Sequence, residues 1–113
     1  MHELSIALNI VDGALEEARR LGASAVRAVH LRLGRLSGVD KEALLFSFGV
    51  ARADTPLQSS LLVIEDAEVV ILCSKCGEKP SRSLPVLACS ECGALAQRVV
   101  RGQELEITGM EIL

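Results

Sequence analysis

The sequence predicts an α+β fold, with two helices on one face of a three-stranded sheet and a four-cysteine zinc-ribbon-like module inserted ahead of the last strand. Three observations predict it. Apolar residues recur at a helical period in two stretches. Other stretches alternate, or run apolar, over the length of a strand. Two Cys-x-x-Cys pairs fall in one segment rich in Gly, Ser and Pro and poor in periodicity.

In chain order, Leu4, Leu8, Val11, Leu15, Ala18 and Leu21 share one side of a helix over residues 4–21, with Asn9, Glu16 and Arg20 opposite. Gly22 is placed to end it at the C′ position. Residues 25–33 alternate, Val29, Leu31 and Leu33 against Ala28, His30 and Arg32, which predicts a half-buried strand. Residues 34–38 form a turn. Asp40 suits the N-cap of a second helix, Lys41 to about Ala53, whose buried stripe is Leu44, Phe48 and Ala51; Thr55-Pro56 ends it. Residues 61–72 read as one strand region. Leu105, Ile107 and Ile112 mark the last strand, with Glu104, Glu106 and Glu111 toward water. Residues 1–72 and 101–113 thus form one α+β domain, and residues 73–100 a zinc-binding module.

A chain of 113 residues suits one compact domain with a small appended module, and half its residues are apolar, enough for a core. Phe46 and Phe48 are the only aromatic residues, so the core must be aliphatic. Their scarcity also argues against single-stranded nucleic-acid binding, which draws on aromatic stacking platforms. The net charge of -3 excludes a strongly basic phosphate-binding footprint. Lys75, Lys79, Arg82, Arg98 and Arg101 gather around the cysteines, where they offset thiolate charge. No basic region or long apolar run precedes Asp12, and no apolar stretch is long enough for a bilayer. A soluble cytoplasmic protein without membrane partners is expected. Cysteines stay reduced in that compartment, so the pairs suggest a metal before disulfides.

The pattern is Cys73-Ser-Lys-Cys76-Gly77 and then Cys89-Ser-Glu-Cys92-Gly93. Each half places two sulfurs on a tight turn, and the following Gly permits the positive φ that aims backbone N–H groups at sulfur. Four thiolates complete a tetrahedron around one Zn2+ per chain and leave no position for water or substrate, so the role is structural. A thioredoxin-like site needs a single pair opening a helix after a strand. A rubredoxin-like iron site uses the same four ligands, and the spacing alone does not separate it from zinc.

At the other end stands Met1-His2-Glu3. The large His2 side chain favours retention of the initiator methionine. An imidazole next to an α-amine and ionisable amides offers nitrogen donors in a plane, the geometry that Ni(II) or Cu(II) prefers. The whole chain resembles the hydrogenase nickel-incorporation proteins, the HypA/HybF family of metallochaperones. The matching residues are Met1-His2-Glu3-Leu4-Ser5-Ile6-Ala7, the run from Val29 to Val39, Glu42-Ala43-Leu44 with Phe46 and Phe48, the two Cys-x-x-Cys-Gly knuckles, and Gly102-Gln103-Glu104-Leu105. The resemblance implies Ni2+ as a cargo bound through Met1 and His2, with Glu3 influencing nickel affinity or partner contact, and zinc on Cys73, Cys76, Cys89 and Cys92. It implies work with the nickel-handling GTPase of the pathway (HypB) and delivery to the large subunit of [NiFe]-hydrogenase. Some relatives carry a further histidine in a longer zinc module; here that module has none, and His30 reads as an ordinary exposed residue on its strand.

Two rival classes fit less well. A nucleic-acid-binding zinc ribbon would need a basic, aromatic face. A thiol redox enzyme would need a reactive low-pKa thiol, which closed metal ligation removes. The reading is therefore a binding and transfer protein, not an enzyme. Its oligomeric state is left open, a homodimer included.

Overall fold

The computed structural model describes residues 2–113; Met1 lies outside the described residues. The chain runs α1 (Glu3–Arg20), β1 (Val26–Gly34), α2 (Lys41–Ala51), β2 (Leu61–Ala67), β3 (Val70–Cys73), β4 (Gly77–Pro80), β5 (Arg98–Arg101) and β6 (Leu105–Ile112). Strands β2-β1-β6 make one sheet, with β2 parallel and β6 antiparallel to β1. Strands β4-β3-β5 make a second, antiparallel sheet that sits in the chain between β2 and β6.

The predicted helices and the inserted module are present. Helix α1 ends as expected: Gly22 has φ +67°, and Ala23 N–H reaches back to Ala18 O at 2.9 Å, the six-to-one bond of a Schellman ending. Asp40 caps α2, its Oδ1 accepting from Glu42 N–H at 3.0 Å and Ala43 N–H at 3.2 Å. Leu44, Phe48 and Ala51 are buried as predicted.

The buried stripe of α1 differs from the leucine pattern. Ala7, Ile10, Val11, Ala14 and Ala18 face the core, while Leu4 is 47% exposed and Leu8 46%. The two stripes share Val11 and Ala18 but are rotated from each other. Small alanines let α1 approach α2 and the sheet closely, so the contact centres on them and the leucines fall to its flank. Val26, Val29, Leu31, Leu44, Phe48 and Leu57 complete this core.

The expected single strand over residues 61–72 is two strands in different sheets. The chain leaves the first sheet after Ala67. Val69, Ile71 and Cys73 then bury in a second apolar cluster with Cys89, in the module. The module's sheet therefore takes in Val70–Leu72, which the sequence pattern assigned to the α+β domain, because these residues pair with β4 and β5 and not with β1. Strands β4 and β5 were not foreseen, since neither Gly77–Pro80 nor Arg98–Arg101 has an alternating apolar pattern. With its two cores in sequence, the molecule measures 51 × 25 × 15 Å.

Two glycines close the junction between the sheets. Leu36 N–H donates to Gly102 O at 2.7 Å and Gly34 N–H to Glu104 O at 2.8 Å. A Cβ at Gly34 would lie 2.0 Å from Gly102 O, an impossible contact with backbone. Gly102 itself has φ +125° and lies against Val69. Gly34→Ala is therefore expected to force the strands apart and destabilise the protein by roughly 3 kcal/mol or more. Urea unfolding of the variant checks this; a midpoint equal to wild type would show that the junction can yield.

Candidate metal centres

Among the described residues, the cysteine cluster is the one group of three or more His, Cys, Asp or Glu side chains able to converge on an ion, with all four sulfurs within 4.8 Å of one another. The structure brings together all four cysteines singled out in the sequence. A tetrahedron with Zn–S of about 2.3 Å has edges of about 3.8 Å, so a small contraction seats the ion. Cys73 Sγ and Cys92 Sγ are 3.5 Å apart, far beyond a covalent S–S bond.

The two knuckles are held differently. Cys73 ends β3, and its pairing with Gly77 closes the β3–β4 hairpin around Cys76. Cys89 lies outside the named strands, joined to Ser81 by an isolated bridge. Its loop closes on itself, with Cys89 N–H donating to Ala94 O at 2.8 Å and Gly93 N–H to Cys89 O at 2.9 Å. Gly77 and Gly93 share φ +79°, the left-handed turn expected after each second cysteine. Cys73 and Cys89 are buried, Cys76 half-buried and Cys92 exposed.

Proton affinities follow from these turns. The Cys92 N–H, 3.5 Å from Cys89 Sγ, and the Glu91 N–H hold the Cys89 thiol down at about 6. The N–H groups of Cys76 and Lys75 lower Cys73 in the same way. Burial and the three neighbouring sulfurs push Cys76 up to about 12. The turns thus shift the first cysteine of each knuckle toward thiolate, while burial and the neighbouring sulfurs hold Cys76 as the thiol, whose proton a divalent ion would displace.

At the other end, His2 is the exposed N-cap of α1 and makes no side-chain capping bond. Glu3 is fixed: its Oε2 accepts from Asp40 N–H at 3.1 Å, which holds its carboxyl below the usual range. This bond ties together the first turns of α1 and α2. His2, Glu3, Leu4 and Ser5 face Ala43, Phe46 and Ser47 across an open cleft, with Phe46 76% exposed. Met1, the remaining residue singled out at this end, lies outside the described residues. Sequence reasoning saw Asp40 only as a helix cap; its grip on Glu3 spans 37 positions and left no local signal. His30 lies outside both groups, half-buried on the sheet with its Nε2 2.8 Å from Glu111 Oε2.

Fold and cluster together define a small metal-binding protein with a zinc-ribbon-like module. The family model described as "Hydrogenase/urease nickel incorporation, metallochaperone, hypA" matches residues 1–112. The chain belongs to this HypA family, whose members are metallochaperones and not enzymes, and its role is in nickel incorporation during hydrogenase maturation. It is 44% identical over 112 residues to "Hydrogenase maturation factor HypA" of Roseiflexus sp. (strain RS-1), covering 98% of this chain and 91% of that one. It is 43% identical over 112 residues to the protein of that name in Chloroflexus aurantiacus, covering 98% of each. The fold matches the solution structure of the Ni metallochaperone HypA from Helicobacter pylori, with a TM-score of 0.70 and 23% identity over 100% of this chain and 98% of that one. Among the described residues, no helix is long and apolar enough to cross a membrane.

Proposed function

We propose that this chain binds Ni2+ at its N-terminus and delivers it to the large subunit of [NiFe]-hydrogenase, in concert with the pathway's GTPase, HypB, in the cytoplasm. The observation that carries the reading is the match to the nickel-incorporation family across residues 1–112, a span that includes both Met1-His2-Glu3 and all four cysteines. The proposed cargo donors are the Met1 amine, the His2 imidazole and intervening amides, with the Glu3 carboxylate beside them. An exposed site suits a carrier, since cargo must be reached by the next protein and released to it.

The proposed zinc ligands are Cys73, Cys76, Cys89 and Cys92, one ion per chain. The donor set fits: four sulfurs, two of them biased toward thiolate, in a cage near tetrahedral size. Zinc there would cross-link two turns and supply no chemistry. The α+β domain built on the β2-β1-β6 sheet then handles nickel, while the module built on β4-β3-β5 holds zinc. All these donors come from one chain, so neither site requires a second copy, and a homodimer would carry two of each.

The test is transfer. Nickel-loaded protein mixed with nickel-free hydrogenase large subunit is expected to load the subunit faster than the same concentration of free Ni2+, as read by nickel content of the reisolated subunit. Loading no faster than from free nickel would defeat the carrier reading.

A further inference from the structure

The first knuckle is built into a sheet; the second is joined to the end of β4 only by the isolated Ser81–Cys89 bridge, and one side chain adds a further hold. Arg82 Nε donates to Cys89 O at 3.0 Å, the same carbonyl that takes the Gly93 N–H at 2.9 Å. The guanidinium also fills the space where a side chain at residue 93 would begin: a Cβ built on Gly93 would lie 3.0 Å from Arg82 Nη2 and 3.3 Å from Cζ. Among the described residues, nothing comes within 4 Å of the corresponding point at Gly77. The Arg82 backbone is itself anchored, its N–H donating to Ala88 O at 2.8 Å.

We propose that Arg82 is the positioning residue of the zinc site, latching the second knuckle through the Cys89 carbonyl and the face of Gly93 and so governing how firmly Cys89 and Cys92 hold the metal. This rests on the zinc reading above. The knuckle carries both the most deeply buried ligand, Cys89, and the exposed one, Cys92, so loosening its loop opens the side from which a competing ligand can enter. A guanidinium suits this position. Its plane covers the glycine, its Nε–H meets the carbonyl, and its charge offsets the two negative charges that four thiolates leave on Zn2+. Two further ties reach this loop. Ser90 N–H donates to Pro80 O at 3.1 Å, which holds the start of the knuckle and not the Gly93 side. Lys79 Nζ lies 3.0 Å from Glu91, a pair whose side chains are 37% and 63% exposed and which contributes little.

The experiment uses the full chain as wild type, Arg82→Ala, Arg82→Lys and Arg98→Ala. Zinc per chain is measured by elemental analysis, and zinc is then extracted by excess chromophoric chelator and followed by absorbance. One zinc per chain is expected throughout. Arg82→Ala should release it about tenfold faster than wild type, the scale on which partners beyond the ligands act. Arg82→Lys should stay close to Arg82→Ala, since it keeps the charge but loses the planar cover. Arg98→Ala, an equal loss of charge on β5, should remain within about twofold of wild type. With Co2+ in place of zinc, Arg82→Ala should also alter the visible ligand-field bands while far-UV circular dichroism is unchanged. Extraction from Arg82→Ala at the wild-type rate overturns the proposal. So does equal acceleration by Arg98→Ala, which would make charge and not position the cause. A wild type that holds no zinc is recognised at the elemental analysis, before any chelator, and removes the zinc reading and this proposal together.

Discussion

Replacement of Cys89 by alanine is expected to abolish zinc binding and unfold the second sheet while α1 and α2 persist. Cys89 is fully buried, and it packs with Val69, Ile71 and Cys73 in a cluster of only four buried residues. A core of that size cannot offset the conformational entropy of ordering the segment between Cys73 and Val100. Metal binding can, since structural zinc contributes roughly 10–16 kcal/mol to folding in small zinc-binding peptides. The first core is separate: α1, α2 and β1 bury their apolar side chains against one another, and no buried residue belongs to both clusters. The expected signature is near-zero zinc by elemental analysis, a helical far-UV signal close to wild type, and collapse of backbone amide dispersion for the module alone. Unchanged zinc content with an intact module would sink the structural role. Loss of the helical signal together with zinc would show one cooperative unit, joined through Leu36, which leaves the β1–α2 turn to pack against the module's cluster.

What could be read from the sequence was what is encoded locally. The paired knuckles needed only spacing and two glycines. The N-cap at Asp40 and the C′ glycine at Gly22 were legible because caps are satisfied within a few residues of themselves. The misreadings arose where distant parts of the chain decide. In α1 a leucine stripe and an alanine stripe compete, and only the closeness of α2 and the sheet selects the alanines. The run Leu61–Leu72 is strand-like throughout, so nothing in it announces that Ala67 and Val70 serve different sheets; the partners of β3 lie at Gly77–Pro80 and Arg98–Arg101. The bond from Asp40 N–H to Glu3 and the latch of Arg82 on Cys89 and Gly93 are likewise side-chain contacts made outside any regular repeat, invisible to periodicity.

Two changes at the N-terminus are expected to abolish nickel binding while leaving zinc in place: His2→Ala, and an extension of several residues before Met1. The argument is the coordination chemistry of a d⁸ ion. Planar nitrogen ligation uses an α-amine, an imidazole and deprotonated amides, a set that tetrahedral zinc does not favour. The His2 imidazole is available as a donor, because it is exposed and makes no capping bond to α1. Such an extension converts the Met1 amine to an amide and carries the new amine too far along the chain to chelate with His2, so the loss should match that of the histidine variant. Binding must expel protons, because amines ordinarily titrate near 7.7–8.0 and imidazoles near 6.5, and affinity is therefore expected to fall as pH drops through that range. Glu3 does not confuse this reading. The Asp40 N–H holds its carboxyl below the usual range, so it stays ionised across the interval in which the nitrogens take up protons, and the pH profile reports the nitrogen donors. Glu3→Gln should give a smaller loss of affinity with the same pH midpoint. Calorimetric titration of Ni2+ into zinc-loaded, untagged protein and into each variant distinguishes the outcomes. Affinity that survives an N-terminal extension would place the nickel elsewhere and leave His2 an idle, solvated cap.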